Sequence, residues 1–385
     1  MTALDETLLG DGDALLAADE HGVLRALASA GAQVREAVEL SAEAGTARLA
    51  GEERPRALVI AALAGSSVVA DVVTALAGRG CPVPVVVRHG GPLPSWVGPL
   101  DAVVAVSLSG RAPGPLALAV EAARRGARVV TVAAPGSPLA EVGSRGGNVT
   151  VPPARGLRAA GGDPRSSRVA VWSLVTPVLL ACDALGLLDS PPQALAAVAD
   201  RLDAEADTCK PFSESFVNPA KALALELDGA VPVVLGDGDL TAAAARRTAA
   251  MLARTARVPA VSGALPDDAS EVVATFGGPF AARADDVFAD PFLDAPTGPR
   301  LQLIVLRDAV GALSDEARRL ADAVVSTAAD AGVRVSELVA DAGSPLQRLA
   351  QLIARTDFAA AYLALASGVD PARSPQVADL KDRIG

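Results

Sequence analysis

The spacing of hydrophobic and polar positions changes along this chain. Residues 1–55 read as helical. Apolar side chains recur at helical spacing over 19–30 (Val23, Leu24, Leu27) and 32–43 (Val34, Val38), which predicts two helices there. From residue 57 the pattern becomes short uninterrupted apolar runs, each followed by a small polar turn. Runs at 57–62, 82–87, 103–106 and 128–133 are predicted strands, with helical patterns at 68–77 and 116–127. Strands alternating with helices predict a parallel sheet joined by right-handed crossovers.

The alternation repeats further on. A long apolar helix is predicted over 166–188, kinked near Pro177, and Asp189-Ser-Pro-Pro breaks it. A partly charged helix follows at 193–209. Strands are predicted at 231–235, 301–306 and 334–338, with a short extended piece at 260–263. Helices are expected at 241–254, 315–331 and 345–366, and 279–299 reads as a loop rich in Asp and Pro. The chain therefore reads as α/β, with two tandem three-layer domains. Each is a mainly parallel sheet flanked by helices. The predicted boundaries are a helical segment 1–55, a first domain 56–190 and a second domain 191–385.

Composition narrows the chemistry. The 385 residues suit two domains with their own cores, and aromatics at 3% leave those cores to Ala, Val and Leu. A net charge of −11 argues against nucleic acid, since a polyphosphate partner needs basic patches. Cys81, Cys182 and Cys209 are widely spaced and form no metal motif or disulfide framework. With only His21 and His89, a metal centre or a histidine triad has little to draw on; no metal and no cofactor are expected. His89 reads as a turn residue. The nearly uncharged run 169–182 falls short of the about 20 apolar residues a bilayer requires, and the start of the chain is acidic. A cytoplasmic protein with no membrane partner is the expectation.

The chemistry that remains lies at strand ends. Ligands of parallel sheets sit at the carboxyl ends of the strands, where helix N-termini present unpaired N–H groups. Three of these ends carry small polar loops: Gly65-Ser66-Ser67, Ser107-Leu108-Ser109-Gly110 and Pro135-Gly136-Ser137. Together they predict a phosphate site built on Gly65, Ser66, Ser107, Ser109 and Gly110. No GxGxxG follows a strand, so a dinucleotide enzyme is disfavoured.

These loops, with other short segments, resemble the sugar isomerase (SIS) domain family, in particular bacterial bifunctional phosphoglucose/phosphomannose isomerases. Ala62-Leu63-Ala64-Gly65-Ser66 is similar to the family's Gly-Met-Gly-Gly-Ser. Ser107-Leu108-Ser109-Gly110-Arg111-Ala112-Pro113-Gly114 is similar to Ser-Tyr-Ser-Gly-Asn-Thr-x-Glu. Leu93-Pro94-Ser95-Trp96-Val97-Gly98, Pro164-Arg165, Asn218-Pro219-Ala220-Lys221 and the tail from Tyr362 through Lys381 carry further resemblance. The family's catalytic Glu has become Arg254 by this comparison. Ser270 stands near the position of its His, and the polar Asn-Thr-x-Glu half of the phosphate loop is replaced.

The resemblance implies an aldose–ketose isomerase of glucose 6-phosphate or mannose 6-phosphate, working as a homodimer. Enediol chemistry needs a base at C2, an acid for ring opening and a cation for the enediolate. Glu271 (with Asp267 and Asp268 beside it), Lys381 and Arg165 are the residues in position to supply these. The alternative expectation is a catalytically inactive phosphosugar-binding regulator, or a partner of mannose-metabolism enzymes.

Overall fold

The computed structural model describes residues 4–51, 53–78, 80–154, 166–281 and 298–384. Its contacts divide the chain into two compact units, 29–203 and 1–28 together with 204–385. The N-terminal helices, read as one segment from the sequence, are therefore shared between units.

In unit 29–203, strands β1 (Leu58–Ala62), β2 (Val85–Arg88), β3 (Ala102–Ser107), β4 (Arg128–Ala133) and β5 (Val149–Val151) form one parallel sheet in the order β2-β1-β3-β4-β5. β1 and β3 are buried along their whole length, which is why they read as continuous apolar runs rather than alternating ones. β2 begins at Val85, three residues later than its apolar pattern, after Pro82 and Pro84, which have no N–H for a ladder. The three-residue β5 was not apparent in the sequence.

Helices α1 (Glu6–Gly10), α2 (Gly12–Ala18) and α3 (Val23–Ala28) precede α4 (Ala30–Glu43). Then come α5 (Ser67–Ala77), α6 (Pro113–Arg124), α7 (Pro138–Gly143), α8 (Ser166–Val169), α9 (Val171–Ala184) and α10 (Pro192–Thr208). One face of the first sheet packs Val59, Val103, Ala105 and Val129 against Leu118, Ala119 and Ala122 of α6 and Leu139 of α7. α5 and α9 lie against the other face. The predicted helix 166–188 is divided at Ala170, and Pro177 lies inside α9.

In unit 1–28/204–385, β6 (Ala230–Gly236), β7 (Val261–Ala264), β8 (Arg300–Arg307) and β9 (Arg334–Val339) form a second parallel sheet in the order β7-β6-β8-β9. This repeats the β2-β1-β3-β4 order of the first sheet, so the internal repeat expected from the sequence is topological as well. The helices are α11 (Pro219–Glu226), α12 (Asp239–Met251), α13 (Ala269–Ala274), α14 (Asp315–Asp330), α15 (Pro345–Ala366) and α16 (Pro375–Ile384). Val233, Leu235, Leu303 and Val305 pack on Val272 of α13 and on Ala321 and Val324 of α14. α12 covers the other face and packs on α15. α15 is long and apolar enough to cross a membrane, yet 94% of its most apolar window is buried inside the protein, as in a core helix. Most of the loop read at 279–299 lies outside the described residues.

Lys221 closes this unit around its N-terminal segment. It is 1% exposed, and its Nζ donates to the carbonyls of Leu9 (2.6 Å), Pro211 (2.6 Å) and Ser213 (2.9 Å). Three acceptors match the three donors of an ammonium group, so the charge is fully hydrogen-bonded although burial draws its pKa below the ordinary lysine value. Asn218 caps α11 by accepting from the N–H groups of Ala220 and Lys221, both at 3.1 Å. The Asn-Pro-Ala-Lys stretch is thus a clamp holding 4–28 on the second sheet's unit.

Candidate functional site at the carboxyl edge of the first sheet

Ser107 ends β3, and Ser66, Ser109 and Ser137 follow the carboxyl ends of neighbouring strands of the first sheet, within one unit. The β3 and β4 loops touch. A Cβ on Gly110 would lie 1.9 Å from Ser137 Oγ, and Gly110 has φ +67°, so only glycine suits this position. The Leu139 N–H donates to Gly110 O at 3.1 Å and ties the loops together.

The three turns differ in the donors they leave open. In the β3–α6 turn, Gly110 N–H donates to Ser107 O (2.9 Å), Arg111 N–H to Ser109 Oγ (3.3 Å) and Ala112 N–H to Ser107 Oγ (3.4 Å). Pro113 and Pro115 bring no N–H to the first turn of α6. A Cβ on Gly114, between them, would meet the His89 carbonyl at 2.0 Å. Ser107 and Ser109 accept from N–H groups of their own turn, which leaves their hydroxyl hydrogens as donors. The β4–α7 turn is similar: Ser137 Oγ accepts from Ala140 N–H at 3.3 Å, and Pro138 follows.

The β1–α5 turn is open. Ser66 has helical dihedrals at the N-cap of α5, and its side chain caps nothing. Its hydroxyl is without a partner among the described residues, although the residue is only 7% exposed. Ser66 Oγ is not among the buried unpartnered atoms, so the hydroxyl is open to a ligand oxygen, and the α5 dipole favours negative charge there. Ala64, two residues earlier, has φ +53°, a conformation that suits glycine. The glycine of the related Gly-Met-Gly-Gly-Ser pattern falls on this position.

Two further groups border this edge. The exposed guanidinium of Arg111 has no partner among the described residues. His89 stands directly after β2, and its Nδ1 lies 2.7 Å from the carbonyl of Ala62, the last residue of β1. The sequence treated His89 as a turn residue. Its only local signal was its place after an apolar run, and the contact with a residue 27 positions away was invisible.

Of the candidate isomerase residues, Glu271 and Lys381 belong to unit 1–28/204–385. Glu271 is exposed in the first turn of α13, and Ser270 is exposed beside it. Asp267 is exposed, and Asp268 accepts from Ala264 N–H at 2.7 Å. Arg254 lies in a π-helical turn, Leu252–Ala256. Its pKa is drawn down by burial and then by the neighbouring Arg247, while Asp357 opposes this. Arg247 makes a two-pronged bond to Asp357, at 3.0 and 2.8 Å. Arg165 lies outside the described residues. Lys381 is on α16, and its side chain lies outside the described part.

Comparison with known proteins bears on the fold and on the second sheet's unit. Residues 216–384 match the family model of the bacterial phospho-glucose isomerase C-terminal SIS domain. This stretch is thus similar to an SIS domain of this type. The bifunctional phosphoglucose/phosphomannose isomerase of Caldicellulosiruptor bescii is 26% identical over 205 residues, 53% of this chain and 57% of that protein. The match thus spans a little over half of each. A hypothetical protein of Thermus thermophilus has a similar fold, with TM-score 0.70 and 17% identity, covering 98% of this chain and 94% of that one. A candidate phosphosugar isomerase of Silicibacter pomeroyi gives TM-score 0.61 at 21% identity, covering 91% and 99%. The C-terminal domain of glucosamine-fructose-6-phosphate aminotransferase from Francisella tularensis gives 0.62 at 12%, covering 92% and 98%.

Proposed function

We propose that this SIS protein binds a hexose 6-phosphate, glucose 6-phosphate or mannose 6-phosphate, at the carboxyl edge of its first sheet. The observation that carries the reading is the open, unpartnered hydroxyl of the otherwise buried Ser66 at the N-terminus of α5. In this reading the phosphate rests on α5 and is paired by the Arg111 guanidinium, whose fork suits phosphate oxygens. The β3 loop shapes the site, with the N–H groups of Gly110, Arg111 and Ala112 already bonded within the turn. A cytoplasmic homodimer accompanies the reading on the strength of the family resemblance.

Aldose–ketose turnover is expected to be slow, because Arg254 cannot serve as the base at C2. A positioned base is worth roughly 10²–10⁴-fold in rate. Calorimetric titration with glucose 6-phosphate, mannose 6-phosphate and inorganic phosphate, run beside NMR detection of fructose 6-phosphate, tests this. Binding with little or no conversion is the expected result, and absence of binding to both sugars would overturn it.

A second reading keeps full isomerase activity with Glu271 as the base. The feature favouring it is that the Glu271 carboxylate is exposed and has no partner among the described residues. Rapid conversion that Glu271→Gln abolishes would establish it.

A further inference from the structure

We propose that His89 is the proton-transfer group of the first-sheet site and opens the ring of a bound aldose 6-phosphate. The inference rests on the phosphosugar reading above. A carbonyl can only accept, so the Nδ1 that faces Ala62 O at 2.7 Å carries the hydrogen. The neutral ring then has its lone pair on Nε2, the form a general base requires. Nε2 has no partner among the described residues, and the side chain is exposed.

The ring is held from two sides. Its Nδ1 is fixed to the end of β1, one residue before the turn that leads to Ser66. Its backbone presses on the first turn of α6, where a Cβ on Gly114 would meet His89 O at 2.0 Å and Gly90 Cα at 3.1 Å. His89 thus stands between the β1–α5 turn and the β3–α6 turn, beside the surface where the sugar would lie. The other histidine, His21, faces Asp370 at 3.4 Å in the other unit.

The chemistry is complete with one imidazole. Nε2 takes the proton of the anomeric O1 hydroxyl, and the O1 electron pair forms the C1=O1 double bond. The C1–O5 bond breaks, O5 takes the proton from the imidazolium, and the histidine returns to its starting form. The product is the open-chain aldehyde of the same composition, which can reclose to either anomer. No base at C2 is needed, so anomer exchange is expected even where conversion to the ketose is slow.

Exchange NMR of the α and β anomers of glucose 6-phosphate, with the full chain, tests the proposal. The parent protein should accelerate the exchange. In His89→Asn the side-chain amide can still donate to Ala62 O, but no proton acceptor remains at the Nε2 position. It should bind like the parent while losing the acceleration roughly 100-fold or more. His89→Gln, which keeps a terminal nitrogen but no basic one, should behave the same way. Retained acceleration in both variants, or a parent protein that binds without accelerating exchange, would overturn the inference alone. Loss of binding together with exchange in both variants would give the ring a holding role, and that also overturns it. A parent protein that binds no hexose 6-phosphate overturns the phosphosugar reading itself, and the binding titration detects this separately.

Discussion

The carboxyl edges of the two sheets share a strand order and differ in what fills them. After β1, β3 and β4 the first sheet presents serine hydroxyls and a guanidinium without a partner among the described residues, and after β2 an imidazole. After β6 and β8 the second sheet presents Asp237 and Asp308. Asp237 accepts from the Asp308 N–H at 3.0 and 3.1 Å and from the Thr241 hydroxyl at 2.9 Å, beside the start of α12. Asp308 binds Arg348 at 2.5 Å, and Arg307 reaches Asp322 at 2.7 Å and Glu337 at 2.8 Å. The second edge supplies its own anion at the helix start and its own cations around it. Burial raises the pKa of Asp237, while the Asp308 N–H, Thr241 and Arg307 favour its charged form. The same architecture can therefore leave polar groups open at one edge and pair them at the other. The difference lies in whether the polar groups find partners inside the chain.

Substitutions should separate the two edges. Asp308→Ala leaves Arg348 without its carboxylate and should cost about 3–5 kcal/mol of stability, measured by urea unfolding, with hexose 6-phosphate affinity unchanged. A fall in affinity as well would mean that the edges are not independent. Arg111→Gln should do the opposite. Losing a charge-assisted bond of about 1.5–3 kcal/mol should weaken phosphosugar binding roughly 10–150-fold and flatten its salt dependence. The melting curve should hardly move, since Arg111 supports no described side chain.

Smaller effects test the backbone and the interior. Ala64→Gly should stabilise the chain by about 1 kcal/mol, because φ +53° is strained for alanine and free for glycine. Chemical denaturation checks it, and unchanged stability would show that the β1–α5 turn relaxes without help. The thiols of Cys182 and Cys209 are pushed up to about 12 by burial, so both should resist alkylation at pH 8 in the native protein, while the half-buried Cys81 reacts first. The linked effect has a definite sign. The folded state keeps these protons while the unfolded chain releases them near 9, so their contribution to stability falls as pH rises from about 9 toward 12. Peptide mapping after labelling and unfolding at graded alkaline pH measure the two.

The sequence by itself determined the α/β alternation and the repeat. Parallel strands covered on both faces must be continuous apolar runs, and β1, β3 and β8 are written that way. It also located the serine and glycine turns at the strand ends, since small residues there are a local requirement of the turn. It missed β5, which has only three residues, and the division of 166–188 at Ala170.

Only the tertiary structure decided which turn is open. Ser107, Ser109 and Ser66 look alike in the sequence, but Ser107 and Ser109 accept from the N–H groups of their own turn while Ser66 accepts none. The contacts of His89 and Lys221 were decided in the same way. The first depends on a carbonyl 27 residues distant, the second on one 212 residues distant. Hydrophobic periodicity is a local property, readable along the chain. The satisfaction of a polar group depends on which distant carbonyl, carboxylate or amide the fold brings within about 3 Å, and no spacing in the sequence records that.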